Sequence, residues 1–269
     1  YGLARIAGPL GFRRGKAGFV VRAEASGVGG RGEGFAAALL GGAPTAALEG
    51  ERLANGQLLL RRLDINGRGL KVRASGGRSL LGAVNFKGRA DISNLAAARL
   101  GANGAASVDF QAAQARSAAP WTFTLDARGD RFALGLAELD RLLGGKPRLQ
   151  VQANWQAGRL SVAKATLDGA SLDANVAGVM QADRTLAFKA DWSATGPVRA
   201  GPVEITGRIK GTGGVSGALA SPRLDLLADI EQVDLPRLPL TNAKLAITFQ
   251  RQADGSNGSV ALTATSGYG

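Results

Sequence analysis

The sequence predicts an all-β protein whose short strands form an elongated, curled repeat sheet, accompanied by two or three short helices. The first observation is an alternation with a period of two, since every second residue from Arg148 to Trp155 is apolar. A β-strand has the same side-chain period, so such a segment has one apolar face and one polar face. The second observation is a counterpart of this stretch about 100 residues upstream. The third is that strands and helices do not alternate, which argues against a parallel doubly wound sheet.

The internal repeat aligns residues 39–76 with residues 142–178. LLGGAP at 39–44 matches LLGGKP at 142–147, and further positions coincide after a shift of one residue. These are Gly56 with Gly158, Gly67 with Gly169, Leu70 with Leu172, Gly76 with Gly178, and Phe86-Lys87 with Phe188-Lys189. We therefore expect one elongated β-repeat segment over 1–269, a piece of a longer protein, with repeats at about 39–92 and 142–194 and further repeat strands over 203–264.

Alternation and turn residues place roughly sixteen strands along the chain. Strands are expected at about 19–25, 45–50, 57–60, 63–66, 70–74, 83–92, 106–111, 121–128, 148–155, 171–176, 185–193, 203–210, 223–230, 243–250 and 259–264. Short helices are expected at 35–40, at 94–100 with Asn94 as the N-cap, and at 131–143, where apolar residues recur at helical spacing. The alternation changes phase between Val162 and Ala165, which predicts a bulge or turn near Ala163.

The composition excludes several classes of site. The chain has 40 glycines and neither cysteine nor histidine. It therefore has no disulfide framework, no cysteine metal site and no histidine general base. The net charge of +12 favours attraction to anionic surfaces, although the basic residues are scattered along the chain. We predict that the protein is not an enzyme and binds no cofactor, metal or nucleic acid.

Three short motif matches are interpreted as structural. Gly27-x-Gly29-x-x-Gly32 matches the dinucleotide fingerprint, but no βαβ unit follows it. Ser161-x-x-Lys164 matches a penicillin-binding motif, but it lies in a strand, where residues three apart are expected on opposite faces. The carboxylate pairs 126/130 and 225/229 fall on the polar phase of strands, so we expect them to pair with arginines in solvent.

The apolar stripe has two interpretations, a dry core between two sheets or an open, lined groove. A long aliphatic stripe without polar groups is typical of a surface along which acyl chains slide, because each buried CH₂ is worth about 0.8 kcal/mol. The residues expected to line such a groove are Leu149, Val151, Trp155, Leu172, Val176, Leu186, Phe188, Trp192, Val203, Ile205, Leu224, Leu226, Ile230, Leu245, Ile247 and Phe249.

Residues 217–249, GALASPRLDLLADIEQVDLPRLPLTNAKLAITF, resemble the repeat unit of the TamB (translocation and assembly module subunit) family of AsmA-like proteins. The segments at 39–76 and 142–178 are similar to the upstream repeats of that family. The resemblance implies a long curled sheet with an apolar interior, called a β-taco. It also implies a periplasmic protein of a Gram-negative bacterium, tethered to the inner membrane and reaching a TamA-like outer-membrane barrel through parts outside this segment.

The expected function is therefore a passive apolar groove in a bridge that moves phospholipid between the two membranes or supports outer-membrane protein assembly. Whether the groove holds lipid or an unfolded barrel strand stays open, because an exposed sheet edge could also template strand addition. The alternative is a secreted β-solenoid passenger or adhesin with a closed, dry core and an outer binding face.

Overall fold

The computed structural model describes residues 4–5, 11–14, 18–29, 34–200, 203–235, 238–252 and 255–266, and the chain divides into two compact units, 1–136 and 137–269. The first unit contains α1 (Phe35–Leu40), a 3₁₀ turn (Leu95–Ala97) and strands β1 (Ala4–Arg5), β2 (Gly11–Arg14), β3 (Phe19–Gly27), β4 (Thr45–Arg52), β5 (Leu58–Asn66), β6 (Leu70–Arg78), β7 (Val84–Ile92), β8 (Asn103–Gln114) and β9 (Trp121–Ala133). The second contains α2 (Ala137–Leu143) and strands β10 (Arg148–Gln156), β11 (Arg159–Asp168), β12 (Leu172–Met180), β13 (Thr185–Thr195), β14 (Val198–Ala200), β15 (Val203–Ala218), β16 (Arg223–Leu235), β17 (Leu238–Gln252) and β18 (Gly255–Ser266).

Within each unit the strands form an antiparallel meander in chain order. In the first unit β1 and β2 both pair with β3, and each later strand pairs with the next. In the second unit β15 is long enough to pair with β14 along its first part and with β13 along the rest. The predicted all-β class with a curled, open sheet and few helices is confirmed.

The repeat is visible in the structure as a helix followed by four strands. Strands β4 to β7 begin at 45, 58, 70 and 84, and β10 to β13 begin at 148, 159, 172 and 185. In both copies the helix ends at a glycine with positive φ, +70° at Gly41 and +68° at Gly144. Glycine adopts this conformation without the steric cost that other residues have.

Hydrogen bonds to the last carbonyl groups of each helix fix the helix against the sheet. The backbone N–H groups of Arg68 and Gly69, between β5 and β6, donate to Leu40 O (3.0 Å) and Leu39 O (2.8 Å). In the second copy Ala170 N donates to Leu143 O (3.0 Å) and Ser171 N to Leu142 O (2.8 Å). These carbonyls have no partner inside the helix, so the turn satisfies them and holds the helix at one end of the sheet.

A bulge occurs at the same place in both repeats. In β11, Val162 pairs with Ala153 and Lys164 pairs with Gln152, which leaves Ala163 as the extra residue. In β5, Leu60 pairs with Gly50 and Arg62 with Glu49, which leaves Arg61 as the extra residue. The predicted bulge near Ala163 is confirmed. The strands expected separately at 57–60 and 63–66 are one strand that contains the bulge.

The helix expected over 131–143 is wrong in its first half. β9 continues to Ala133, so Phe132 is in a strand, and α2 begins only at Ala137. Gly135 has a φ of +78°, which no right-handed helix accommodates. The helix expected at 94–100 is only the 3₁₀ turn, although Asn94 caps it as predicted by accepting from Ala96 N at 3.0 Å.

Much of the apolar surface stays in contact with solvent. The chain exposes 16852 Å², whereas even two separate compact domains, each with half of the mass, would expose about 13,000 Å² together. Among the described residues the buried core consists of a few side chains, such as Leu39, Ile209 and Val233, whereas large ones such as Leu58, Trp155 and Phe249 are exposed.

Gly67 should be intolerant of a side chain, because a Cβ there would lie 2.6 Å from Leu40 Cα and 2.8 Å from Leu40 O. We expect Gly67→Ala to lower the free energy of unfolding by about 1–3 kcal/mol, measured by urea denaturation, since helix and turn must separate. Gly255→Ala is the control, because a Cβ on Gly255 meets nothing within 4 Å. Equal effects of the two substitutions would contradict this account of the helix contact.

Candidate functional site

The candidate site is the apolar face of the second unit, defined by the cross-strand register of β10 to β18. In β10 the side chains of Leu149, Val151 and Trp155 share one face, and their partners in β11 are Leu167, Ala165 and Leu160. The register carries the same face across the unit, because paired residues in a sheet point to the same side. The face therefore continues through residues paired in the order Ala165–Val176–Ala190–Gly213–Leu226–Ile247–Val260.

The structure brings nearly all the predicted lining residues onto this face. The following members lie on it by register: Leu149, Val151, Trp155, Leu172, Val176, Leu186, Phe188, Trp192, Leu224, Leu226, Ile230, Leu245, Ile247 and Phe249. Ile205 lies beyond a bulge in β15 but packs against the same buried cluster. Val203 belongs to β15, and its side chain is outside the described residues.

The expected lining left out the small residues of this face, although the alternation had already placed Ala153 on its apolar side. They are Ala153, Ala165, Ala174, Ala190, Ala194, Ala228, Gly178, Gly211 and Gly213. Two glycines lie beneath aromatic rings: a Cβ on Gly178 would be 2.8 Å from Phe188 Cδ1, and a Cβ on Gly211 would overlap the Trp192 indole. The alternation of the flanking residues could have located these positions, although glycine itself has no hydrophobic signal.

The face is most deeply buried beside α2. There Ile230, Val233 and Ala243 are 1–3% exposed, and Leu142 of α2 packs against them.

Other parts of the face are exposed to different degrees. Trp155 is 39% exposed and Phe249 43%, and Leu149 at the start of β10 is 36% exposed, whereas Leu186 beside the β12–β13 hairpin is only 9% exposed. The face is therefore partly open and is not a dry core buried along its whole length.

The face is almost free of charge at its paired positions. Among the described residues of β10 to β18 that the register places on it, Arg251, at the β17–β18 hairpin, is the one ionisable residue. Trp192 Nε1 is buried there, and it is the one buried side-chain N or O atom of the described residues that lacks a hydrogen-bond partner. Such a surface offers apolar contact and no group for acid–base or nucleophilic chemistry.

A glutamate fixes the bulge of β15 beside this face. Gly207 has a φ of +76°, and the next residue, Arg208, donates its backbone N–H to Glu231 Oε2 at 2.9 Å and its Nε to Oε1 at 3.0 Å. The backbone hydrogen bond, with help from the guanidinium, holds the pKa of Glu231 below its usual value. The carboxylate therefore supports the bulge at neutral pH and loses this role as acid protonates it.

The polar face of the second unit has a separate concavity. A cavity of about 710 Å³ opens there, with Leu227 and Ala246 on its floor. Its polar lining comprises Asp173, Asn175, Asp191, Ser193, Lys210, Thr212, Asp229, Lys244 and Thr263. Trp192 and Leu245 of the predicted lining also border this cavity, from strands whose apolar side faces the other way.

Three of the four carboxylates lie beside an arginine, as expected: Asp126 beside Arg128 (3.1 Å), Asp130 beside Arg131 (3.8 Å) and Asp225 beside Arg223 (3.0 Å). The expected arginine is wrong for Asp229, whose basic partner is Lys244 at 4.0 Å. The hydrogen bond from Arg223 and the attraction of Asp225 raise the pKa of the guanidinium further. Among the described residues no group of three or more Asp or Glu could hold a metal ion. No helix in the described part of the chain is long and apolar enough to cross a membrane.

The structure bears on the two short motifs at 161–164 and 27–32. Ser161 and Lys164 were expected on opposite faces, and this is wrong: Ser161 pairs with Asn154 and Lys164 with Gln152, which share the polar face. The reason is the extra residue Ala163, which adds a half-period between them. In the glycine motif at 27–32, Gly32 lies outside the described residues.

Comparisons with known proteins leave the family assignment untested. No protein-family model matches the chain, and neither a curated protein nor a solved structure does.

The openness of the apolar face can be measured with its two tryptophans. We expect the chain that retains only Trp155 (Trp121→Phe, Trp192→Phe) to be quenched by acrylamide much more strongly than the chain that retains only Trp192 (Trp121→Phe, Trp155→Phe). Trp155 is partly exposed, whereas the indole nitrogen of Trp192 is buried. Equal shielding of both would indicate a closed, dry core.

Proposed function

We propose that this protein binds the acyl chains of phospholipids on its apolar sheet face, as a section of a passive lipid-transport groove. The observation that carries the proposal is the apolar face of β10 to β18, which has no acidic residue at its described paired positions and leaves several large apolar side chains exposed. A fully enclosed core would have buried the large side chains at both ends, yet Trp155 and Phe249 are exposed.

The chemistry of the face suits a mobile ligand. Burying a methylene group is worth about 0.8 kcal/mol, so several carbons of one chain supply enough free energy for capture. Successive rows of the sheet present similar aliphatic side chains. An acyl chain can therefore move along the face without having to escape from a deep free-energy minimum. No covalent step is needed, and we propose no enzymatic activity.

The wider context is proposed from the sequence resemblance alone. As a member of the TamB/AsmA-like group, the protein would lie in the periplasm of a Gram-negative bacterium, tethered to the inner membrane. It would pass phospholipid toward the outer membrane, or support outer-membrane protein assembly, with a TamA-like barrel as partner. The anchor and the barrel contact would belong to parts outside this segment.

A direct test is to purify the chain and to identify bound lipid by native mass spectrometry. We expect diacyl phospholipid to co-purify and to be released by detergent. A chain that takes up no lipid, even after incubation with short-chain phospholipid, would contradict the proposal.

A charge placed on the face should abolish binding without unfolding the protein. Val151 is half-buried opposite Ala165, so Val151→Asp puts a carboxylate where acyl chains would lie. Because desolvating that charge costs several kcal/mol, we expect bound lipid to fall by at least about tenfold in the mass spectrum.

Gln152→Asp is the matched control for that substitution. It adds the same charge one residue away, on the polar face opposite Lys164, and should leave lipid binding unchanged. If Val151→Asp unfolds the chain, as circular dichroism would show, the groove proposal fails and the face is a core.

The second candidate is a secreted β-rich binding protein or adhesin that uses its outer face. The observation in its favour is the cavity of about 710 Å³ on the polar face, whose rim offers carboxylates, amides, hydroxyls and two lysines. In that case Leu227→Arg, on the cavity floor, would abolish binding of the partner and Val151→Asp would not.

A further inference from the structure

The apolar face of the first unit carries two charges. Between β4 and β8 the charged residues lie on the polar face, with two exceptions among the described positions, Arg52 and Arg78. The register places them in one row, because Arg52 pairs with Leu58 and Leu58 pairs with Arg78. Leu60, Leu63 and Phe86 lie on the same face. Leu60 and Leu63 share it because the extra residue Arg61 lies between them, and Phe86 shares it because it pairs with Gly76, the partner of Leu60.

The second repeat shows that the scaffold does not need these charges. Arg52 corresponds to Trp155 and Arg78 to Met180, at equivalent ends of equivalent strands. Leu58 corresponds to Leu160 and Val84 to Leu186, so the apolar members of the row are conserved between the two copies of this chain. The first copy therefore has guanidinium groups where the second has an indole and a thioether.

Neither arginine is neutralised by a described acid. No ion pair joins Arg52 or Arg78 to any described carboxylate, whereas on the polar side Arg61 and Arg62 each have at least one acidic partner and Arg89 has two. The nearest acid along β4 is Glu51, which faces the other side and is held by Arg61 at 2.6 Å. Two cations at the edge of an apolar, acid-free face leave a local positive potential.

The row lies at the hairpin end, where apolar side chains are also exposed. Leu80 and Leu81 in the β6–β7 turn are 62% and 88% exposed. The side chains of Arg52 and Leu80 both reach Gly56 in the β4–β5 turn: a Cβ on Gly56 would be 3.7 Å from an Nη atom of Arg52 and 3.1 Å from Leu80 Cδ2. Cationic and apolar groups thus lie near one another at the hairpin end of the face.

We propose that Arg52 and Arg78 bind the phosphate of an anionic phospholipid whose acyl chains lie on the apolar face of the first unit. The proposal rests on the proposed function and names the headgroup chemistry of its ligand. Guanidinium groups bind phosphate oxygens through paired N–H donors. The two arginines are separated by one strand, about 10 Å between strand axes, so their long side chains can converge on one headgroup above Leu58.

The test compares two lipids that share the same acyl chains, phosphatidylglycerol and diacylglycerol, which lacks phosphate. The full chain is incubated with an equimolar mixture, and captured lipid is quantified by mass spectrometry. We expect the wild-type chain to prefer phosphatidylglycerol. In the double variant Arg52→Trp, Arg78→Met this preference should fall on the order of tenfold, with diacylglycerol capture maintained.

Two further variants separate the headgroup site from net charge and from folding. Lys71→Met with Arg73→Met removes two charges from the polar face of β6 and should leave the preference unchanged. Arg78→Lys keeps the charge but loses the planar fork, so it should lower the preference part of the way even if the double variant folds poorly. If the double variant folds and still prefers phosphatidylglycerol as the wild type does, the headgroup site is overturned. If the double variant does not fold, an unchanged preference in Arg78→Lys overturns it instead. An equal loss of preference in the polar-face control would also overturn it.

The outcome distinguishes the two proposals. A wild-type chain that captures both lipids equally overturns the headgroup site and leaves the acyl groove standing. A wild-type chain that captures neither lipid overturns the groove and the headgroup site together.

Discussion

This structure depends on keeping the apolar side chains of every strand on one face. In β5 and in β11 a single extra residue in each strand makes this possible. Leu60 and Leu63 are three residues apart in β5, as are Val162 and Ala165 in β11, yet each pair lies on one face. Strict alternation would place them on opposite faces. The bulges at Arg61 and Ala163 absorb the extra residue, so both halves of each strand contribute to the same apolar surface.

The helices decide where that surface is most deeply buried. Each is only one to two turns long, too short to be stable alone, and depends on its contact with the sheet. The β5–β6 and β11–β12 turns supply N–H donors to its last carbonyls, and Gly67 and Gly169 permit the close approach. Because the helix is attached at one end of the strands, the most deeply buried cluster of the second unit lies there, and large side chains such as Trp155 and Phe249 stay exposed elsewhere on the face.

The sequence predicted what depends on local pattern. The alternation at 148–155 placed Leu149, Val151 and Trp155 on one face, and the phase change located the bulge at Ala163. It failed where pairing between strands decides the outcome. The helical spacing of Phe132 and Leu136 is genuine, but Phe132 lies in β9, between Asp130 and Ala133, which pair with Ala105 and Asn103 of β8. Gly178 and Gly211 were missed because their role depends on Phe188 and Trp192 across the ladder.

The two repeats separate what the fold requires from what a ligand requires. Positions that agree between them, such as the C-cap glycines and the apolar partners Leu58 and Leu160, fulfil the same structural role twice. Arg52 and Arg78 disagree with Trp155 and Met180 on an otherwise similar face, so strand pairing does not explain them. Placing a charge beside apolar surface is unfavourable unless solvent or a partner compensates it. An amphiphile is the ligand class that compensates both features at once, since its phosphate satisfies the guanidinium groups while its chains cover the leucines.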